Sequence, residues 1–210
     1  MKPVARVAGM AAALALLTAA PSALANAYRE KGKAVQIADS PLTVTPSRDW
    51  NKLSGKPGKF AETWTLDGEQ LNDITFYAGV ESGAPLLREQ NRKRAPLPKF
   101  TAAMLLAEVP ELLEGTYRAL KNIGDFTIAS SGPRQFLGHD GVTFTYAYLD
   151  ADQLPRRGEA VATIIDRRLY MVTFDAPRLH YFDRTIADYR DLVAATTLSP
   201  AAPAATAAKQ

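Results

Sequence analysis

The chain has 210 residues, of which 47% are hydrophobic and 22% charged, a composition typical of one globular domain with an apolar core. Its formal charge of +3 includes two cations in residues 1–25, a segment without acids, so the remaining sequence has 23 basic and 22 acidic residues. A charge so close to neutral argues against a nucleic-acid-binding protein, which needs a concentrated positive field. The absence of cysteine excludes disulfides, thiol chemistry and a lipid-modified N-terminal cysteine.

Residues 1–25 have the pattern of an export signal. Two cations precede an apolar run at residues 8–20, which is shorter than the roughly 20 residues needed to span a bilayer. Small residues, Ala23 and Ala25, occupy the two specificity positions before a cleavage site. We therefore expect cleavage after Ala25 and a periplasmic or secreted protein that is not an integral membrane protein.

The rest of the chain divides into three segments by composition. Residues 26–33 form a polar leader, and residues 34–198 are well patterned, with no internal repeat. Residues 199–210 are rich in proline and alanine and have almost nothing to bury, so we expect this tail to be disordered. The pattern therefore predicts a single folded domain over residues 34–198.

The first half of this domain reads as strands followed by a helix. Short β-rich runs, "AVQIA" and "LTVTP", precede "AETWTLDG" and "LNDITFYAGV", which we interpret as a hairpin turning at Asp67-Gly68. The segment "TAAMLLAEVPELLEGTYRALKNIG" predicts a helix that restarts at Pro110 and stops at Gly124. One face of this helix carries Leu113, Tyr117 and Leu120.

The second half predicts four strands and a closing helix. Apolar side chains alternate along "GVTFTYAYLD", which is typical of a half-buried strand. The runs "GEAVATIID" and "RLYMVTFDAP" predict two further strands, which flank a turn at Asp166-Arg167. The last helix has an apolar face formed by Phe182, Ile186, Tyr189 and Val193. Adjacent hairpins favour an antiparallel sheet, so the order predicts an α+β fold with two helices covering the sheet.

The second half also resembles a known family. The run "FLGHDGVTFTYAY", the hairpin "RRGEAVATIIDRRLYMVTFDAP" and the closing helix are similar to PsbP/Mog-like (DcrB/PsbP-type) domains, and "LTVTPSRDWN", with Pro46 and Trp50, resembles their entry strand. The resemblance covers roughly residues 34–197. It implies an α/β/α sandwich around a mainly antiparallel sheet, and a non-catalytic accessory, adaptor or bacterial envelope protein. It carries over no ligand residues, and a shared fold alone does not fix function.

Two histidines are the natural candidates for catalysis or metal binding. His139-Asp140 lies between glycines, where we expect a turn, because a metal site needs more ligands than the remote His180 supplies. We expect His180 to be a capping or surface residue, with a pair to Asp183 as the open alternative. No sequence motif indicates a catalytic residue, a metal or a cofactor, and the two tryptophans, Trp50 and Trp64, are predicted core residues.

The strongest cluster of charge lies in "REQNRKRAPLPK", where Glu89 is the single acid. Two interpretations remain open: a solvated loop, or a binding surface for an anionic envelope component such as acidic phospholipid, lipid A phosphates or an acidic protein. The pairs at residues 156–157 and 167–168 extend this surface if they lie on the same side. The predicted binding residues are Arg88, Arg92, Lys93, Arg94 and Lys99.

Three functions are compatible with these patterns. The leading hypothesis is an exported, non-catalytic envelope protein that binds or helps assemble a partner, either a protein or an anionic surface. The alternatives are an exported hydrolase with a sparse site formed by His180, Asp183 and a serine, and a carrier of a small apolar ligand. The sequence identifies neither the partner nor the oligomeric state.

The export signal gives the first testable prediction. Protein recovered from the cell envelope should begin at Asn26, because small residues precede the proposed cleavage site. N-terminal mass spectrometry of that fraction checks the prediction, and an intact residue 1 or 2 on the recovered protein would contradict it.

Overall fold

The structure is a computed structural model that describes residues 27–121, 123 and 125–199. The proposed signal peptide, the predicted helix stop at Gly124 and the predicted tail from residue 200 onward lie outside these residues. Ser199, the first tail residue, donates its backbone N–H to the carbonyl of Pro41 at 2.8 Å. Within the described ranges, neither helix is long and apolar enough to cross a membrane.

The described chain contains eleven strands and two α-helices. The strands are β1 (Ala27–Arg29), β2 (Val35–Gln36), β3 (Leu42–Val44), β4 (Trp50–Lys52), β5 (Ala61–Thr65), β6 (Asp73–Val80), β7 (Phe126–Phe136), β8 (His139–Leu149), β9 (Pro155–Ile165), β10 (Arg168–Pro177) and β11 (Thr196–Leu198). The helices are α1 (Val109–Lys121), preceded by a 3-10 turn at Leu106–Glu108, and α2 (Tyr181–Ala194).

Eight strands form one sheet in the order β1-β4-β5-β6-β10-β9-β8-β7, and β11, β3 and β2 form a small second sheet. All described strand pairs are antiparallel. Helix α1 packs on one face of the large sheet and α2 on the other, each over its own apolar cluster. The predicted α+β sandwich around an antiparallel sheet is therefore confirmed. Strand β1 comes from the polar leader and pairs with β4.

Burial alternates along β8, and β9 and β10 next to it form a tight hairpin. Along β8, the side chains of Val142, Phe144, Tyr146 and Tyr148 are buried under α1, as the sequence pattern predicts. The β9–β10 hairpin turns at two residues, Asp166 and Arg167, with φ of 49° and 62°. Two successive positive φ values are characteristic of the tight turn that matches strand twist, so the predicted hairpin is confirmed.

The β7–β8 hairpin corrects the prediction for His139-Asp140. Phe136 pairs directly with His139, so the two turn residues are Leu137 and Gly138, with φ of 55° and 78°. His139 and Asp140 are the first residues of β8 instead. The prediction of a turn at His139-Asp140 was wrong by two residues, because the pairing of the long strands fixes the turn position.

The connection between β5 and β6 is also longer than predicted. It spans residues 66–72, with Gly68 at φ 122°, instead of turning at two residues. The buried side chain of Asn72 organises it: its Oδ1 accepts from the backbone N–H of Leu66 at 2.7 Å and from the hydroxyl of Thr65 at 2.9 Å. Hydrogen bonds to the side-chain amide of Asn72 therefore stabilise this connection, in place of the tight turn that the sequence predicted.

Both helices present the faces that the sequence predicts. Pro110 lies in the first turn of α1, where its missing N–H is not needed, and Leu113 and Tyr117 are buried against the sheet. In α2, Phe182 and Tyr189 stack on Phe174 of β10 with ring centroids 5.3 and 5.6 Å away. The two tryptophans, Trp50 and Trp64, are almost fully buried, as expected of core residues.

The β7–β8 hairpin gives a pair of contrasting substitutions. A Cβ on Gly141 would lie 2.4 Å from the carbonyl oxygen of Ala162 and 2.9 Å from that of Arg134. We expect Gly141→Ala to lower the free energy of unfolding by about 2–4 kcal/mol, because two strand backbones must move apart. His139→Ala, at an exposed neighbouring position, should change it by less than about 0.5 kcal/mol. Urea denaturation measures both, and equal losses would contradict the assignment.

Candidate functional site: a basic groove

Residues 81–100 fold as a loop closed at its base. The backbone N–H of Gly83 donates to the carbonyl of Phe100 at 2.7 Å, and that of Phe100 donates to Ala84 at 3.0 Å. Leu86 and Leu97 are buried in the apolar cluster under α1, together with Phe100. The loop is thus anchored to the core by both backbone hydrogen bonds and apolar burial.

One carboxylate, that of Glu89, organises the inside of this loop. Its side chain is 5% exposed, and it accepts a hydrogen bond from the backbone N–H of Leu97 at 3.2 Å while pairing with Arg92 at 3.0 Å. Asn91 stabilises the following turn by accepting from the backbone N–H groups of Arg94 and Ala95. The single acid of the segment "REQNRKRAPLPK" is therefore already bonded within the loop.

A second segment, residues 56–60, packs directly against this loop. The backbone N–H of Arg88 donates to the carbonyl of Pro57 at 2.6 Å. A Cβ on Gly58 would lie 2.8 Å from the carbonyl oxygen of Leu86, so only glycine allows the two backbones to approach this closely. This contact brings Lys56 and Lys59 beside the predicted basic cluster.

Between the two segments lies a groove with a volume of about 510 Å³. Four cations, two from each segment, line it together with the carboxylate of Glu89 and several apolar side chains. The cations are Lys56, Lys59, Arg88 and Arg92, and the apolar residues are Phe60, Ala84, Pro85 and Leu87. We refer to this feature as the basic groove.

The predicted binding residues occupy two parts of one surface. Arg88 and Arg92 line the groove, whereas Lys93 and Arg94 follow on the exposed turn of the loop, which we call the loop tip. The backbone of Lys99 forms an isolated antiparallel β-bridge with that of Pro85, beside the groove. Segments 54–60 and 81–99 together contain seven Lys or Arg residues and two Glu residues, so the surface is strongly positive.

The arginine pairs at residues 156–157 and 167–168 lie far from each other. The first is near the start of β9, and the second is at the hairpin that joins the end of β9 to β10. Arg168 pairs with Glu81 at 3.2 Å, and Glu81 also pairs with Lys59 of the groove at 3.3 Å. Arg157, near the opposite end of β9, lies 3.9 Å from Asp183, and its neighbour Arg156 is buried. Only the pair at residues 167–168 therefore adjoins the basic surface.

Lys56 and Lys59 were not among the predicted site residues. The sequence shows them in "KPGK", which reads as a loop dense in glycine, lysine and proline. More than 20 residues separate this segment from Arg88, so its position beside the basic cluster depends on the fold. The sequence feature that could have indicated these two lysines is their position on either side of Pro57-Gly58, since glycine often marks close backbone contact.

The structure does not bring the proposed hydrolase residues together. The ring of His180 meets that of Tyr181 edge-on, and Asp183 pairs with Arg157 instead of with His180. His139 is exposed on β8. In the described part of the chain, no group of three or more His, Asp or Glu side chains is placed to hold a metal ion.

A second polar cluster lies under α1, within the core. The carboxylate of Asp175 accepts hydrogen bonds from the hydroxyls of Tyr117 at 2.5 Å and Tyr146 at 3.1 Å. Asp73 is paired directly with Asp175 across β6 and β10. Burial, and then the charge of Asp175, raise the pKa of Asp73 to about 8, although Arg156 lies 4.0 Å from it.

No protein-family model matches the sequence, and no curated protein matches it. Among solved structures, cyanobacterial PsbP from Synechocystis sp. PCC 6803 aligns with 87% of this chain and 98% of its own, at 10% identity and a TM-score of 0.53. The chain has the PsbP/Mog-like fold. The Ran-binding protein Mog1p of Saccharomyces cerevisiae aligns with 81% of this chain and 96% of its own, at 9% identity and a TM-score of 0.46.

The raised pKa of Asp73 predicts how stability depends on pH. The folded state holds a proton that the unfolded chain releases near pH 4, so stability should fall as pH rises toward 8. Between pH 5 and pH 8 we expect a loss of about 2 kcal/mol, less than the ideal 1.4 kcal/mol per pH unit because Asp73 is partly exposed.

The measurement is chemical denaturation at several pH values with two matched variants. Asp73→Asn should flatten the pH dependence and be the more stable protein above pH 8, since a neutral amide replaces the carboxylate. Asp152→Asn, at an exposed position, should retain the parental slope. An unchanged slope in Asp73→Asn would show that another group holds the proton.

Proposed function

We propose that the protein is an exported, non-catalytic envelope protein that binds an anionic partner through the basic groove. One observation carries the proposal: two segments far apart in sequence meet and place four cations around an apolar groove. The export part rests on the pattern of residues 1–25.

Two of the four groove cations are unpaired and available to a ligand. Among the described residues, the side chains of Lys56 and Arg88 have no hydrogen-bond or ion-pair partner, and neither do those of the loop tip. Lys59 is shared between Glu81 and the ring of Phe60, which its ammonium approaches to 4.5 Å from the ring centroid. Cations beside a low-dielectric apolar wall focus the positive field, which favours an anion.

The groove is suited to binding more than to proton transfer. Its polar groups are Lys and Arg cations together with Glu89, whose carboxylate is already bonded to Leu97 and Arg92. Because both walls are tied to the core and to each other, the backbone positions that carry these cations are fixed before a ligand arrives. Preorganisation of this kind lowers the entropy lost on binding.

Inorganic polyphosphate is a simple probe of this proposal. Mature protein from Asn26 should bind it in a calorimetric titration at low salt, and the affinity should fall as salt screens the cations. The double variant Lys56→Gln/Arg88→Gln should bind at least about tenfold more weakly, since two charges that face the anion are removed.

A matched variant controls for net charge. Arg134→Gln/Arg178→Gln removes the same charge from two exposed positions, one on the edge strand β7 and one beyond the far end of β10, and it should bind like the parent. Absence of binding by the parent, or the same loss in both variants, would contradict a role for the groove.

A further inference from the structure

We propose that the basic groove and the loop tip form one docking surface for the phosphate headgroups of an anionic lipid bilayer. This inference rests on the proposed function and specifies the anion. It depends on where the unpaired cations lie, on the apolar lining between them and on three wall positions that offer no free backbone N–H.

The cations are distributed over a concave and a convex part of the same surface. Arg92 lines the groove, and the loop tip, Lys93 and Arg94, follows it directly along the chain. The turn that exposes the tip is fixed by hydrogen bonds to Asn91, at 2.9 Å from Ala95 and 3.2 Å from Arg94. A single small anion contacts only the groove, whereas a plane of many phosphates reaches both parts at once.

The groove also offers apolar contact beside its charges. Phe60, Pro85 and Leu87 are part of its lining, and the ammonium of Lys59 lies over the Phe60 ring, 4.5 Å from the ring centroid. Long cationic side chains that cover apolar surface in this way suit the boundary between headgroups and acyl chains. Peripheral attachment to a bilayer combines apolar burial with attraction to anionic lipid, and both are present here.

At three positions the walls offer no main-chain N–H to an extended acidic peptide. Such a segment binds mainly by adding main-chain hydrogen bonds to an exposed strand edge. Here the N–H groups of Arg88 and Leu97 are already donated to Pro57 and Glu89, and Pro85 has no N–H. Side-chain charge is what the groove presents, and lipid phosphate requires only that.

Vesicle binding measures the inference directly. Mature protein should co-float at low salt with vesicles that contain phosphatidylglycerol, and should remain unbound with pure phosphatidylcholine vesicles. Each Lys or Arg near an anionic surface changes binding about fivefold, so removing two should weaken partitioning about 25-fold. We expect this loss both for Lys56→Gln/Arg88→Gln in the groove and for Lys93→Gln/Arg94→Gln at the loop tip.

The control variant, Arg134→Gln/Arg178→Gln, should partition within about twofold of the parent, because its charges lie on the edge strand β7 and beyond the far end of β10. Thermal melts of all variants confirm that they are folded; the substituted side chains are exposed. A loss confined to the groove variant would overturn the shared docking surface and indicate a single bound anion.

The vesicle and polyphosphate results together separate the two proposals. Polyphosphate binding without vesicle binding at low salt would overturn the lipid inference, leave the proposed function intact and point to an acidic protein as the partner. Absence of both would overturn both. Vesicle binding that weakens equally in all three double variants would show a nonspecific effect of net charge and would also overturn the inference.

Discussion

The buried carboxylate of Asp175 fixes helix α1 on the sheet. Burying a charge without partners is costly, and here the hydroxyl of Tyr117 from the helix and that of Tyr146 from β8 both point at one of its oxygens. Burial and the charge of Asp175 raise the pKa values of both tyrosines, so these hydroxyls keep the protons they donate. A helix that shifted by one turn would lose its hydroxyl contact and leave the charge poorly solvated. Tyr117 also carries the ammonium of Lys121 4.0 Å from its ring centroid, which secures the end of the helix.

The same apolar cluster links the helix to the basic groove. Leu86 and Leu97 of the basic loop lie in one buried cluster with Leu113 and Tyr117 of α1. A tightly packed core transmits displacement instead of absorbing it, so the backbone of the loop is held as firmly as the helix. The loop's own acid, Glu89, strengthens this by bonding inward to Leu97. The groove is thus anchored to the core and carries exposed cationic side chains at its surface.

Sequence periodicity predicted the elements well wherever one face of a strand or helix is buried. The alternation along β8 and the apolar faces of both helices fix those elements, since a slip of one residue would expose a whole face. The turn at Leu137-Gly138 was misplaced because the glycines around His139 look equally suitable, and only strand pairing chooses between them. Asp175 was not predicted as a core residue, because β10 is buried on both faces and "TFDAP" therefore carries no alternation that would mark the aspartate. The groove could not be predicted whole, since contact between segments 56–60 and 81–100 is a property of the tertiary fold.

Net charge and local charge lead to different conclusions about this molecule. Screening limits electrostatic attraction to about 8–10 Å at physiological salt, so a near-neutral total says little about any one surface. Away from the groove, several arginines are matched by acids, in the pairs Arg48–Asp188, Arg157–Asp183, Arg184–Asp67 and Arg190–Glu159. Around the groove, the cations outnumber the acids, and the two acids present are bonded within that surface or to its neighbour Arg168. The positive field that a partner meets at close range is therefore concentrated at one surface, which orients the molecule with its basic loop toward an anion.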